Sequence, residues 1–184
     1  MKRYNILQEI SRLLEDQIVV CNIGIPSKEL YHLKDRNENF YMLGSMGLVS
    51  SIALGIAIAK PDKKIWCIDG DGSLLMNLGS LSTIAYENPQ NLTLIVIDNH
   101  AYGSTGNQET HTKYNTKLDE VAIGCGFTSV NRIRKKEQIE PILSQLDEGN
   151  HFILIEAEPG NKKLKNISLS PKHIKERFIK ALNR

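Results

Sequence analysis

Apolar residues at Ile6, Leu7, Ile10, Leu13 and Leu14 recur with the period of an amphipathic helix, predicting one over Tyr4–Leu14. Ile18-Val19-Val20-Cys21 reads as a strand running toward Gly24, with Ser27 as N-cap of a short helix to Leu33. A brief strand over Phe40–Leu43 enters the turn Gly44-Ser45-Met46-Gly47. A helix from about Leu48 to Ala59 follows, rich in Ala, Gly and Ser, until Pro61-Asp62 stops it. The apolar run Ile65–Ile68 leads into Gly70-Asp71-Gly72-Ser73 and a helix to about Glu87, and Asn88-Pro89 separates this from a second run, Leu92–Ile97. Residues 99–116 are polar and read as a long loop, a length that in compact domains is usually functional or disordered. Helices near Leu118–Cys125 and Lys136–Leu146 alternate with strands Phe127–Val130 and Phe152–Ala157. Within 168–184, Ser170-Pro171 opens an amphipathic tail helix carrying Ile174, Phe178, Ile179 and Leu182.

Several of these strands are apolar on both alternating sets of positions, as strands covered on both faces must be. The fold class expected is therefore α/β: a doubly wound, mainly parallel sheet with helices on both faces. Ligands of such sheets sit beyond the carboxyl ends of the strands, where Gly24, Gly44, Gly70 and Asn99 all fall.

Composition narrows the setting. With 184 residues and 41% hydrophobic content, one globular domain spanning 1–184 is expected. The net charge of +2 comes from 23 basic and 21 acidic residues spread along the chain, which is no nucleic-acid footprint. The lysines of the tail read as a solvated face. Cys21, Cys67 and Cys125 have no paired spacing and lie in or beside apolar runs, as reduced core thiols do, and no leader or bilayer-length apolar segment is seen. The expected location is the cytoplasm, with no membrane partner.

Two strand ends each deliver a hard oxygen ligand, Asp71 and Asn99, just under thirty residues apart. That is room for a turn, a helix and a returning parallel strand, so both emerge on one sheet edge. The glycines beside Asp71 let the backbone approach a bulky anion, and the pattern suits a divalent cation held against a diphosphate. A dinucleotide fingerprint fails because position 75 is Leu and no third glycine follows in register, and no P-loop pattern occurs. Ser27 has two readings that can coexist, helix cap and diphosphate contact. Met46 is either a buried residue of a strand-to-helix turn or a wedge beneath a cofactor.

Gly70-Asp71-Gly72-Ser73 with Asp98-Asn99 resembles the signature of thiamine diphosphate enzymes, a GDG turn followed by an Asn pair whose first member is Asp98 here. The resemblance implies Mg²⁺ held by Asp71, the Asn99 side-chain oxygen and the Ala101 carbonyl. It also implies diphosphate contacts from Gly70, Gly72, Ser73, Gly24 and Ser27, and cofactor contacts from Ala101, Tyr102 and Gly103. In Gly44-Ser45-Met46-Gly47 it gives Met46 the wedge role and the Gly44 carbonyl an aminopyrimidine contact. Glu29-Leu30-Tyr31, Asp35-Arg36, Asn39–Met42 and Ala101–Gln108 are similar to the phosphonopyruvate and sulfopyruvate decarboxylases, with Ala101–Gln108 most similar to the sulfopyruvate branch. These act on 2-oxo acids with an anionic group on C3; the sulfopyruvate enzyme forms sulfoacetaldehyde on the way to coenzyme M. Ser104, Thr105 and Gln108 are candidate substrate contacts. His100 and His111 read as surface residues of a polar loop rather than catalytic groups.

The family also needs a Glu that activates the cofactor, carried on a separate domain, and no Glu of this chain stands in a matching motif. The catalytic carboxylate is therefore expected from an α subunit with the pyrimidine-binding domain, in a hetero-oligomer. The alternatives are a phosphonopyruvate decarboxylase-type subunit and a non-catalytic thiamine diphosphate-binding module.

Overall fold

The computed structural model describes all of residues 1–184. In chain order the elements are α1 (Arg3–Leu13), β1 (Ile18–Cys21), α2 (Ile25–Leu33), β2 (Asn39–Tyr41), α3 (Val49–Ala59), β3 (Ile65–Gly70), α4 (Asp71–Leu75), α5 (Gly79–Glu87) and β4 (Asn91–Asp98). A hairpin of β5 (Ala101–Tyr102) and β6 (Gln108–Glu109) follows. The chain then forms α6 (Leu118–Cys125), β7 (Ser129–Ile133), α7 (Ile139–Ser144), β8 (Gly149–Glu156) and α8 (Pro171–Leu182).

Six strands form one sheet in the order β2-β1-β3-β4-β8-β7, and every pairing is parallel. Strand side chains alternate between two cores. Val19, Cys21, Ile68, Ile95 and Ile97 pack with Ile6 of α1, Leu30 of α2 and Leu143 of α7 on one face. Val20, Cys67, Leu94 and Val96 pack with Ala53 of α3, Leu81 of α5 and Ala122 of α6 on the other. This is the doubly wound α/β arrangement expected from the apolar runs. The tail helix α8 covers the β2 edge, with Ile174 in the first core and Phe178 in the second. Its Arg177 donates to both oxygens of Asp35, at 2.8 and 2.5 Å. Covering an edge strand removes a template for unwanted pairing. No helix is long and apolar enough to cross a membrane.

Four local expectations are corrected. The N-cap of α2 is Gly24, at φ +89°, and not Ser27, which lies inside the first turn. Pro26 pre-sets that turn, and the Ser27 hydroxyl points back to the carbonyls of Cys21 (3.1 Å) and Asn22 (2.7 Å). The helix read from Ser73 to Glu87 is broken between Leu75 and Gly79, where the Asn77 side chain leaves the helix pattern to donate to the Gly47 carbonyl at 3.1 Å. The polar stretch 99–116 is not one open loop: it holds the antiparallel β5–β6 hairpin and a 3₁₀ turn at His111–Lys113. The helix read over Lys136–Leu146 is a 3₁₀ turn, Lys136–Gln138, followed by α7.

The winding reverses at β1, which pairs with β2 on one side and β3 on the other. A cleft opens at this switch point, beyond the carboxyl ends of β1, β3 and β4.

Candidate functional site

The cleft gathers most of the candidate residues. Gly70, Asp71, Gly72 and Ser73 line it from the β3 end, Asn99 and Ala101 from the β4 end, Tyr102, Gly103 and Ser104 from the hairpin, and Met46 from the opposite turn. A larger depression of about 500 Å³ lies at the amino ends of the strands, among Lys63, Trp66 and His151, and contains none of these residues.

Two turns form the floor. The Gly47 N–H donates to Ser73 Oγ at 3.1 Å, and Asn77 Nδ2 returns to the Gly47 carbonyl. Gly47 has φ +92°, and a Cβ there would lie 3.1 Å from that of Met76, so the close approach of the two motifs requires glycine. Ser45, at φ +59°, turns the chain so that Met46 enters the cleft half-buried while Gly44 and Ser45 stay exposed. The Tyr102 ring lies against Gly72, where an added Cβ would come within 2.7 Å of ring Cδ1.

The oxygens of the proposed metal site converge. The Asn99 amide oxygen faces Asp71 Oδ1 at 3.1 Å and the Ala101 carbonyl oxygen at 2.9 Å. Three oxygens so placed repel one another unless the amide rotates to present its nitrogen, which satisfies both acceptors, or a cation lies among them. Ligands of Mg²⁺ at 2.0–2.1 Å in an octahedron are about 2.9 Å apart along each edge, close to the spacing seen. The donor set, a carboxylate, an amide and a backbone carbonyl, is of the hard-oxygen type Mg²⁺ takes, so the residues fit the ion.

The electrostatics point the same way. Asp69, Asp71 and Asp98 are all buried at this edge. Burial pushes the Asp71 carboxyl up to about 6, helped by the like charge of Asp98 and offset by the Thr110 hydroxyl and the amides of Asn99 and Gly72. Burial likewise raises Asp69 to about 7, against hydrogen bonds from Ser73 and the Gly70 amide. Such a concentration of carboxylates is stabilised by a bound cation.

A second tier orients these groups, and sequence reading missed it. Thr110 Oγ1 donates to Asp71 Oδ2 at 2.5 Å, Thr112 Oγ1 to Asp98 Oδ1 at 2.8 Å, and the two hydroxyls meet at 2.9 Å. His100, at φ +58°, brings Nδ1 within 3.0 Å of Asp98 Oδ1 and 2.9 Å of Thr112 Oγ1. His100 thus supports Asp98, while His111 is exposed. The signal available was the Thr-x-Thr spacing of Thr110 and Thr112, readable only once the hairpin brings that segment back to β3.

Not every candidate enters the cleft. Gly24 and Ser27, at the start of α2, do not line it, and Ser27 is buried with its hydroxyl committed to two carbonyls. Thr105 and Gln108 bond to each other at 2.9 Å in the exposed hairpin, so of the three substrate candidates only Ser104 lines the cleft. No side-chain carboxylate besides Asp71 lines it.

A family model for the C-terminal TPP-binding domain of thiamine pyrophosphate enzymes matches residues 22–157. Subunit beta of the sulfopyruvate decarboxylase of Methanocaldococcus jannaschii is 52% identical over 185 residues, spanning 100% of this chain and 98% of that protein. The sulfopyruvate decarboxylase of Methanosarcina acetivorans is 42% identical over 100% of this chain but only 48% of its own length. A phosphonopyruvate decarboxylase of Streptomyces viridochromogenes is more distant, at 34% identity over 92% of this chain and 43% of that protein. Among solved structures, a 2-oxoglutarate:ferredoxin oxidoreductase from Magnetococcus marinus shares the fold, with TM-score 0.72, 19% identity, and coverage of 88% of this chain and 63% of that one.

Proposed function

Because the chain belongs to the thiamine pyrophosphate enzymes, in the family of sulfopyruvate decarboxylase β subunits, we propose that it is the diphosphate-binding half of such a decarboxylase. The whole of residues 1–184, with the tail helix 168–184, is taken as one diphosphate-binding domain. The reaction proposed is 3-sulfopyruvate to sulfoacetaldehyde and CO₂, serving coenzyme M biosynthesis in the cytoplasm. The observation that carries the reading is the convergence of Asp71, Asn99 and the Ala101 carbonyl at the switch point of the sheet.

In this reading Asp71, Asn99 and Ala101 hold Mg²⁺. Ser73 and the amides around Gly72 hold the diphosphate, with Gly24 and Ser27 at the start of α2 beside them. Met46 and Gly44 would contact the cofactor from the opposite turn, and Tyr102 and Gly103 would contact it from the hairpin. Bound thiamine diphosphate supplies the carbanion-stabilising chemistry that lets a 2-oxo acid lose CO₂. Thr110 holds the Asp71 carboxylate in a fixed orientation, and Thr112 and His100 do the same for Asp98. Ser104 faces the cleft as a neutral donor for an anionic substrate.

The carboxylate that activates the cofactor is assigned to a partner α subunit with a pyrimidine-binding domain. Support comes from the cleft, which offers no carboxylate beyond Asp71, and from the longer Methanosarcina relative, half of whose length this chain spans. Leu43, Leu48 and Met76 are exposed beside the Gly44–Gly47 turn, an apolar rim suited to a protein partner.

Co-expression with the partner and a decarboxylation assay on sulfopyruvate and phosphonopyruvate tests the proposal. Mg²⁺- and thiamine diphosphate-dependent turnover of sulfopyruvate by the pair, and none by the chain alone, is expected. Preference for phosphonopyruvate would transfer the assignment to that branch, and cofactor binding without turnover of either would leave a binding module.

A further inference from the structure

We infer that Arg3 is an anion-binding residue of the cleft that holds the terminal phosphoryl group of the bound diphosphate; this rests on the thiamine diphosphate reading above. Arg3 opens α1 and is only 7% exposed. Its Nε donates to Glu29 Oε2 at 2.8 Å, and its Nη2 to Glu29 Oε1 at 3.3 Å and to Asn161 Oδ1 at 2.9 Å. Nη1 is left without a hydrogen-bond partner in the protein. Arg3 lines the cleft with Asp71, Asn99 and Ser104, and it is the only basic side chain that does so. A guanidinium locked along one edge and open along another is a pre-organised donor for a tetrahedral oxyanion, and little further ordering is needed on binding.

A second feature points at the same ligand. The nine-residue helix α2 starts beside this cleft, Ile25 and Pro26 lining the wall; Pro26 has no N–H, and the first-turn amides of Ile25 and Ser27 are capped by no side chain. Uncapped amides at a helix start favour an anion, and here they stand with a buried cation.

The plainer reading makes Arg3–Glu29 a structural ion pair. The Asn161 side chain donates from Nδ2 to the Gly103 carbonyl at 2.5 Å, and the Lys162 amide donates to Glu29 Oε1 at 3.2 Å, so the pair ties the segment after β8 to the hairpin. That account uses Nε and Nη2 and gives no role to Nη1 or to the placement of the only cation in the cleft wall. Topology selects which anion is held. Met46 leads into α3 on one face of the sheet, whereas α1 and α2 pack on the other, and Asp71, Asn99 and Ala101 line the same cleft as both Met46 and Arg3. For a cofactor wedged at Met46 and anchored at Asp71, the end nearest Arg3 is the terminal phosphoryl group.

The test uses the complex with the partner subunit at saturating Mg²⁺. R3K keeps a cation against Glu29 but loses the open amino group, and the double variant R3Q/E29Q removes both charges, so neither strands a buried carboxylate. Dissociation constants for thiamine diphosphate and, by competition, thiamine monophosphate are measured by calorimetry. Weakening of the diphosphate by at least about tenfold in both variants, with the monophosphate unchanged, is expected. Equal weakening of both esters would overturn the assignment in favour of a general positioning role. So would no weakening of either, or a raised KM for the oxo acid alone at saturating cofactor. A wild-type complex that binds neither ester would instead contradict the thiamine diphosphate reading itself.

Discussion

The backbone N–H of Gly47 donates to the hydroxyl oxygen of Ser73 at 3.1 Å, across the gap between two turns that are far apart in sequence. The bond joins the turn that presents Met46 to the turn that presents Asp71. The two turns are thus joined within the protein itself, and pre-organisation of this kind lowers the cost of binding a ligand between them.

Ser73→Ala removes the acceptor and leaves a buried N–H at Gly47 unsatisfied. The expected result is a loss of about 1–2 kcal/mol in stability by chemical denaturation, together with weaker thiamine diphosphate binding. Unchanged stability would mean that the two turns are held together by Met76 and Asn77 without this bond.

Gly72→Ala puts a methyl group into the Tyr102 ring. The ring must swing away, so cofactor affinity is expected to fall by about tenfold or more while the circular dichroism spectrum is retained. Adding Tyr102→Ala relieves the overlap, and the double variant is expected to recover a well-folded cleft, seen as a melting temperature closer to wild type than that of Gly72→Ala alone.

Thr110→Val keeps the shape of a buried side chain and deletes the donor to Asp71 Oδ2. Groups that orient metal ligands contribute about 10–100-fold to metal affinity. A Mg²⁺ titration of cofactor binding in this variant is expected to shift by that order toward higher concentration, with the limiting affinity for the diphosphate little altered.

Leu48→Glu and Met76→Glu place charges on the exposed apolar rim without touching the cores. Both variants are expected to fold alone with wild-type melting behaviour and to lose association with the α subunit in analytical ultracentrifugation. Retained association would place the partner on another face.

Much of this was legible in the residues. The apolar runs gave strands whose two faces are both covered, and the GDG turn and Asn99 emerge on one edge because an intervening helix returns the chain in parallel. What escaped was long-range. Thr110 and Thr112 reach the carboxylates of Asp71 and Asp98 only because the β5–β6 hairpin folds their segment back onto β3, and nothing local to a polar stretch encodes that return. Arg3 sits two elements ahead of its partner Glu29 and far from Asn161, so no local pattern marks it as part of the cleft. Ser27 has the residue type of a cap, but Gly24, at positive φ, starts the helix earlier and Pro26 fits its first turn.

The central claim, a metal-bridged diphosphate at Asp71, Asn99 and Ala101, is tested most directly by titrating thiamine diphosphate into the α-complexed protein with and without Mg²⁺, in wild type and Asp71→Asn. Asp71→Asn relieves a buried charge beside Asp98, so its melting temperature without metal is expected to equal or exceed that of wild type. Tight binding should require Mg²⁺ in wild type and be lost in the variant at any Mg²⁺ concentration. Equal affinity with and without Mg²⁺, unchanged by Asp71→Asn, would contradict the account.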